Sequence, residues 1–311
     1  MADFGQFRGF GDKLFQGQLP TQLGKIGSEA FGFDFLLDLY PNAGAAYSLR
    51  KLRSAYTGNA IRVRRSSDNA EQDIGFIVSG LNYQLDTSSL TSFCGSGNGF
   101  VTIWYDQSGN SNNAVQSTAA NQAQIVNSGS VILDGSKPAL LFDSVNDYFL
   151  STNSVEPLYL CTVNKPNTTS SYKGIFSADT SSSILNGAMY LSYDDPTRSP
   201  IFSRFTTGTI IAAKGSQVSN NVRNLFSATR NNLTATTYIN SSQVATGTGT
   251  GTIVPLGGTN SGRFTLGAGY YNRNVVDYFP GNLQEFIVYT TNQSSNRTGI
   301  EANINTYYGI Y

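Results

Sequence analysis

An all-β, antiparallel two-sheet sandwich is the fold class this chain predicts, and three observations predict it. Apolar residues come in short runs separated by Gly, Asn, Ser and Thr. Aromatics are frequent, with 19 Phe and 18 Tyr, whereas charged residues make up only 13% of the chain. The turn signals between the runs recur at the spacing of an antiparallel sandwich. At 311 residues the chain is long enough for one large domain of this kind.

Residues 1–36 stand apart as an N-terminal arm, and residues 37–311 form the domain. In the arm Phe4, Phe7, Phe10 and Phe15 are scattered among glycines with no sustained period of two or 3.6. Phenylalanines so concentrated sit awkwardly in water, so the arm is expected to attach to a partner chain through them; the alternative is a terminus without packing of its own. Pro41–Tyr56 (PNAGAAYSLRKLRSAY) predicts a helix, with Ala45, Leu49, Leu52 and Tyr56 at helical spacing and Gly58–Asn59 as its stop. A second short helix starts at Asp86 as its N-cap. From Ala60 onward strands dominate: AIRVRR alternates, GFVTIWY reads as a buried strand, and KPALLFD, PLYLCTV, KGIFSA, GAMYLSY, NLFSATR, LTATTYIN and QEFIVYT follow. YINSSQV reads as a hairpin. The chain closes on an amphipathic helix with Ile300, Ile304 and Tyr307 on one face.

The stretch IRVRRSSDNAEQDIGF (61–76) gathers Arg62, Arg64, Arg65, Asp68, Glu71 and Asp73 in an otherwise weakly charged chain. Its charges cancel, so it reads as a self-paired structural loop: arginines bridge Asp68 or Asp73, and Ile74 and Phe76 return to the core. The whole chain is balanced too, with 20 basic and 20 acidic residues. It lacks the basic excess that neutralising phosphates requires, so nucleic acid is not an expected partner. No stretch approaches the roughly 20 apolar residues of a membrane span, and the first residues lack the apolar core of a signal peptide, so synthesis in a cytoplasm is expected. There is no histidine, which removes Ser-His-Asp and Cys-His catalysis and every His-based metal site. Cys94 and Cys161 lie in or beside apolar stretches and are expected as buried thiols.

The order KPALLFDSVNDYFL, PLYLCTV, LTATTYINSSQV, RFTLGAG…FPGNLQEFIVYT and a terminal helix resembles a concanavalin-A-like, laminin-G-type jelly roll. The first half is more specific. SLRKLRSAYTGNAIRVRRSSDNAEQDIGF and LTSFCGSGNGFVTIWYDQSGNSNNAVQ resemble the catalytic-domain family of α-L-arabinofuranosidase B, a block shared with phage virion and tail-fibre proteins. GIEANINTYYGIY resembles the ends of such phage proteins. The resemblance spans roughly residues 38–311 and implies a jelly roll with a few short helices. Its arabinofuranosidase side implies a Glu nucleophile and an Asp acid/base. Of the five glutamates, Glu29 is in the arm, Glu71 in the opening loop and Glu156 at a strand entrance; Glu285 reads as structural and Glu301 as solvent-facing. None stands in a local motif matching the family nucleophile, and NGAMYLSYDD, where an acidic centre is expected, holds Asp194 and Asp195 but no Glu.

The expectation that follows is a non-enzymatic phage virion surface protein: a fibre, decoration or receptor-contacting component, made in the host cytoplasm and located in the virion. Its partners would be capsid, portal or tail proteins reached through the arm, further copies of itself, and host cell-surface carbohydrate. Tyr270 and Tyr271 are expected to stack on sugar, with Asp194 and Asp195 hydrogen-bonding to it. No cofactor is expected; the carboxylate-rich turn of Asp143, Asn146 and Asp147 (FDSVNDY) is the one candidate seat for a cation, Ca2+. No catalytic residue is assigned. Trp104 is expected in the core, with Asp106 and Ser108 tying down the turn at Gly109. Two alternatives stand beside this reading: a glycoside hydrolase of arabinofuranosidase type acting on surface polysaccharide, and a ligand-free cement protein.

Overall fold

Strand Pro280–Tyr289 organises the molecule and is buried along its whole length. In this computed structural model, which describes residues 34–80, 82–167, 173–178, 189–194, 199–204, 206–253, 256, 263–271 and 274–311, it lies at the middle of one layer. It pairs antiparallel with Ala43–Ser48 and Leu140–Asp143 on one edge and with Tyr159–Pro166 on the other. The layer continues through Asn224–Asn231, Thr234–Ile239 and Ser242–Thr248. A second run of antiparallel strands goes from Glu71–Ile74 through Ile61–Arg65, Gly99–Trp104 and Ala114–Val115 to Phe149–Ser151. It continues through Phe264–Leu266, Lys173–Ala178, Met189–Asp194, Ser199–Arg204 and Ile211–Lys214. Strand Gln124–Asn127 joins the two runs, so the sheet is nearly closed on itself, as expected of a concanavalin-A-like fold.

Between the layers the aromatics form one core. Phe176 stacks on Phe286 at 5.4 Å and meets Phe264 at 5.2 Å, while Tyr47 lies against Trp104 at 5.8 Å. The central strand is buried on both faces because its residues alternate between two clusters. Leu283, Phe286 and Val288 enter the inner core, whereas Ile287 and Tyr289 face an outer cluster. That outer cluster is covered by helix α1, Leu36–Leu39, and by the closing helix α3, Arg297–Tyr308, through Ile300, Ile304 and Tyr307. Between them in the chain, helix α2, Thr87–Cys94, starts as anticipated: the Asp86 carboxylate accepts from Ser89 N at 3.0 Å. Both cysteines are buried free thiols.

The helix expected over Pro41–Tyr56 is not there. Ala43–Ser48 is a strand with every residue but Gly44 buried. Ala45 and Tyr47 point to the inner core, while Ala43 and Ala46 point to the outer one. A surface helix buries one stripe, but this segment is packed on two sides, and burial on both faces overrides the helix preference of alanine. Glu301 also departs from expectation. It is fully buried, accepting from Ser241 Oγ at 2.7 Å, from Arg297 four residues earlier and from Ser227 of the neighbouring strand. Glu285 is structural as expected. It takes both Arg50 Nε (2.8 Å) and Nη2 (3.0 Å), and Arg50 also reaches Asn303 of α3, clamping the closing helix to the sheet. The hairpin at YINSSQV holds, with Asn240 and Ser241 both at positive φ.

The self-paired loop forms largely as read. Arg62 makes a bidentate pair with Asp73, and Arg65 one with Asp68. Among the described residues Arg64 pairs with no acid and instead donates to Gln122, Asn69 and Ala119 O. Ile74 is in the core and Phe76 packs against it.

Candidate active site

The pairing of the strands brings several separately noted residues to one end of the sheet. Strand Leu140–Asp143 ends there in a tight turn with Ser144 at φ 70°. Asp143 Oδ1 accepts from Val145 N (2.7 Å) and Asn146 N (3.1 Å), and Asp147 Oδ2 accepts from Asp143 N (2.9 Å). Lys173, the first residue of strand Lys173–Ala178, donates its ammonium to Ser144 Oγ at 3.0 Å. Its register partner is Tyr193, one residue before Asp194, so Asp194 belongs to the same end. Gly174 follows Lys173 and backs onto Gly269, where a Cβ would fall 2.2 Å from the Gly269 nitrogen; only glycine admits that approach. Gly269 opens the small hairpin Gly269–Tyr271/Asn274–Val276, so Tyr270 and Tyr271 also stand at this end. Asp277 follows the hairpin and accepts from Gly174 N through its carbonyl at 2.7 Å.

Asp143, Asp147, Lys173, Asp194, Tyr270, Tyr271 and Asp277 thus share one sheet end, a convergence that no local motif announces. Asp195 and Phe4, Phe7, Phe10 and Phe15 lie outside the described residues. Electrostatics singles out Asp147. Burial lifts its carboxyl to about 7, and the neighbouring Asp143 charge adds to the lift. Burial also raises Asp277, opposed by Lys173. A carboxylic acid protonated near neutrality beside a second carboxylate is the arrangement that gives two like groups different roles in acid–base chemistry. For a hard cation, the turn at 143–147 offers two carboxylates and Asn146 Oδ1, which is buried without a hydrogen-bond partner. Among the described residues no group of three His, Cys, Asp or Glu side chains is placed to hold a metal.

Among the described residues Glu156 too is bound into the frame. Glu156 accepts from Arg204 and Arg230, both buried, and from Leu256 N. It lies at the far end of the sheet, near Ala178 and Arg204, which are register neighbours through Met189. Five residue steps separate Lys173 from Ala178, about 17 Å of strand. Glu71 lies 3.5 Å from Thr102 Oγ1, a marginal contact. Trp104 is fully buried, and Asp106 ties its turn by accepting from Ala46 N, Ser108 N and Asn112 N.

Comparison with known proteins agrees with this architecture. Residues 38–187 match the family model described as Alpha-L-arabinofuranosidase B, catalytic. Residues 161–296 match that of the Concanavalin A-like lectin/glucanases superfamily. The chain is 39% identical over 84 residues to a probable α-L-arabinofuranosidase B of Aspergillus flavus, a stretch covering 25% of this chain and 16% of that protein. It is 35% identical over 107 residues to the probable Aspergillus terreus enzyme, covering 33% and 21%. The chain therefore matches about a fifth or less of the length of these relatives. Among solved structures, an arabinofuranosidase complexed with arabinofuranosyl-α-1,2-xylobiose superposes with a TM-score of 0.60, and a GH54 α-L-arabinofuranosidase with 0.63. Each is 16% identical and covers 86% of this chain and 64% of its own, a likeness in fold.

These matches overturn the expectation of a non-enzymatic virion component, and with it the fibre or decoration role and the virion location: they lead to arabinofuranosidases. The error has a physical source. A jelly roll carries many functions, so fold-level likeness could not separate the two families. No local motif around a glutamate marks this site, because it is assembled from five separate chain segments.

Proposed function

We propose that this chain is a glycoside hydrolase domain of arabinofuranosidase type, acting on arabinofuranosyl groups of a polysaccharide, with its active site at the sheet end that holds Asp147. The observation that carries the reading is Asp147 itself. It lies within the stretch matching the arabinofuranosidase model, and its carboxyl is held near 7 beside Asp143. Protonated Asp147 donates to the glycosidic oxygen as the bond to the sugar breaks, and a second carboxylate, Asp143 or Asp277, serves as nucleophile or base. The hairpin that carries Tyr270 and Tyr271 lies at the same sheet end, and these two tyrosines are our candidates for receiving the sugar ring.

The test is release of free arabinose from arabinoxylan by the full chain, followed chromatographically near pH 6. Arabinose released by the wild type and lost in Asp147→Asn supports the reading. Binding of the polysaccharide without release overturns it.

A further inference from the structure

An open cleft of about 680 Å³ lies at the other end of the central strand, at Thr290. Its walls come from α1 and the following turn (Asp38, Asn42), from Arg53, and from the turn Ser108–Asn110. Asp143 is in register with Pro280 and Ala43 with Tyr289, so about 30 Å of strand separates this cleft from Asp147.

The cleft is built rather than incidental. Asp106 ties the turn from beneath: Ala46 N, Ser108 N and Asn112 N all donate to it. Gly109, at φ 98°, leaves room for Arg53 to lie across the turn; a Cβ there would fall 2.6 Å from Arg53 Nη1, which donates to Ser108 O at 3.2 Å. Asn110 Nδ2 donates to Ala43 O and Gly44 O, which leaves its Oδ1 free to accept. The Asp38 carboxylate accepts from Ser54 N. Among the described residues neither Asp38 nor Arg53 forms a salt bridge, so one carboxylate and one guanidinium line the same cleft, each with hydrogen-bonding capacity to spare.

We infer that this cleft is a second saccharide-binding site, taking a neutral oligosaccharide segment away from the site of hydrolysis. One cation and one anion in a cleft of this size disfavour a strongly charged ligand of either sign. They suit vicinal hydroxyls, which donate to a carboxylate and accept from a guanidinium together, and the volume suits one to three sugar rings. A second site 30 Å from the first would hold a polymer on the domain between cleavage events. The inference rests on the carbohydrate-active reading above.

Hydrogen-exchange mass spectrometry on the full chain, titrated with xylotriose, a neutral oligosaccharide with no arabinofuranosyl group to be removed, tests it. Saturable protection is expected in peptides covering residues 41–44 and 107–111. In Asp38→Asn and in Arg53→Met that protection should weaken about tenfold in saccharide concentration, with melting temperature and turnover of 4-nitrophenyl α-L-arabinofuranoside unchanged. Two variants are used so that a folding defect in one leaves the other to decide. Absence of protection in these peptides, or protection that both variants retain, overturns the inference. Protection at the cleft in a chain that hydrolyses nothing would sink the active-site reading and leave this one standing.

Discussion

Replacing Asp147 by Asn should make the protein more stable at pH 8 while disabling it. The carboxyl is raised from its ordinary 3.8 to about 7, by burial first and by Asp143 second. A raised acid contributes stability that is fully present below pH 3.8, because both folded and unfolded chains are then protonated. That contribution is lost as pH rises to 7, because the unfolded chain ionises freely and the folded one does not. Three pH units at about 1.4 kcal/mol each bound the loss at about 4 kcal/mol; relaxation of the protein around the charge lowers the effective penalty to about 2 kcal/mol. Asn keeps the shape and the oxygen that accepts from Asp143 N, and it never ionises. The variant should therefore match the wild type at pH 4 and melt about 4 °C higher at pH 8. Differential scanning calorimetry at the two pH values reads this directly. Equal melting temperatures at both would refute the claim that the fold holds Asp147 protonated.

Other perturbations separate frame from surface. Glu285→Gln leaves the Arg50 guanidinium buried and half-answered, and should cost about 3–5 kcal/mol in urea unfolding. Glu156→Ala strips the shared partner from Arg204 and Arg230 and should lower stability by a similar amount, measured the same way. By contrast Asp73→Ala, which breaks the half-buried pair with Arg62 and the hydrogen bond from Tyr105 Oη, should cost about 1–2 kcal/mol, and the ion-pair part of that cost should shrink in 1 M salt. Phe176→Ala, at the stack with Phe264 and Phe286, should lose about 3–5 kcal/mol, visible as a lower urea midpoint with an unchanged slope.

What could be read from the sequence divides by the range of the interactions. Local devices were legible: the Asp86 cap, the hairpin at Asn240–Ser241, and the bridging of arginines in 62–65 to Asp68 and Asp73, though not which arginine meets which aspartate. Strand patterning was legible too, because alternation survives wherever one face meets the core. Failures came where a distant segment decides the outcome. Ala43–Ser48 looked helical because nothing nearby reveals that it is packed on two sides. Glu301 looked exposed because the helix pattern could not show Ser227 and Ser241 waiting to receive it. At the proposed active site, Asp143 and Asp147 read as one turn and Tyr270 and Tyr271 as sugar contacts. Lys173 and Asp277, which tie those two parts together, carry no local signal.

The central claim, that Asp147 is the proton donor, is tested most directly by comparing two substrates with different leaving groups. 4-Nitrophenol departs readily without a proton, whereas a xylobiose hydroxyl does not. Asp147→Asn should therefore lose about 10²–10⁴ in kcat/KM on arabinofuranosyl-α-1,2-xylobiose while losing far less on 4-nitrophenyl α-L-arabinofuranoside. Equal losses on both substrates would contradict the account, because they would make Asp147 a residue that shapes the site and takes no part in the proton transfer.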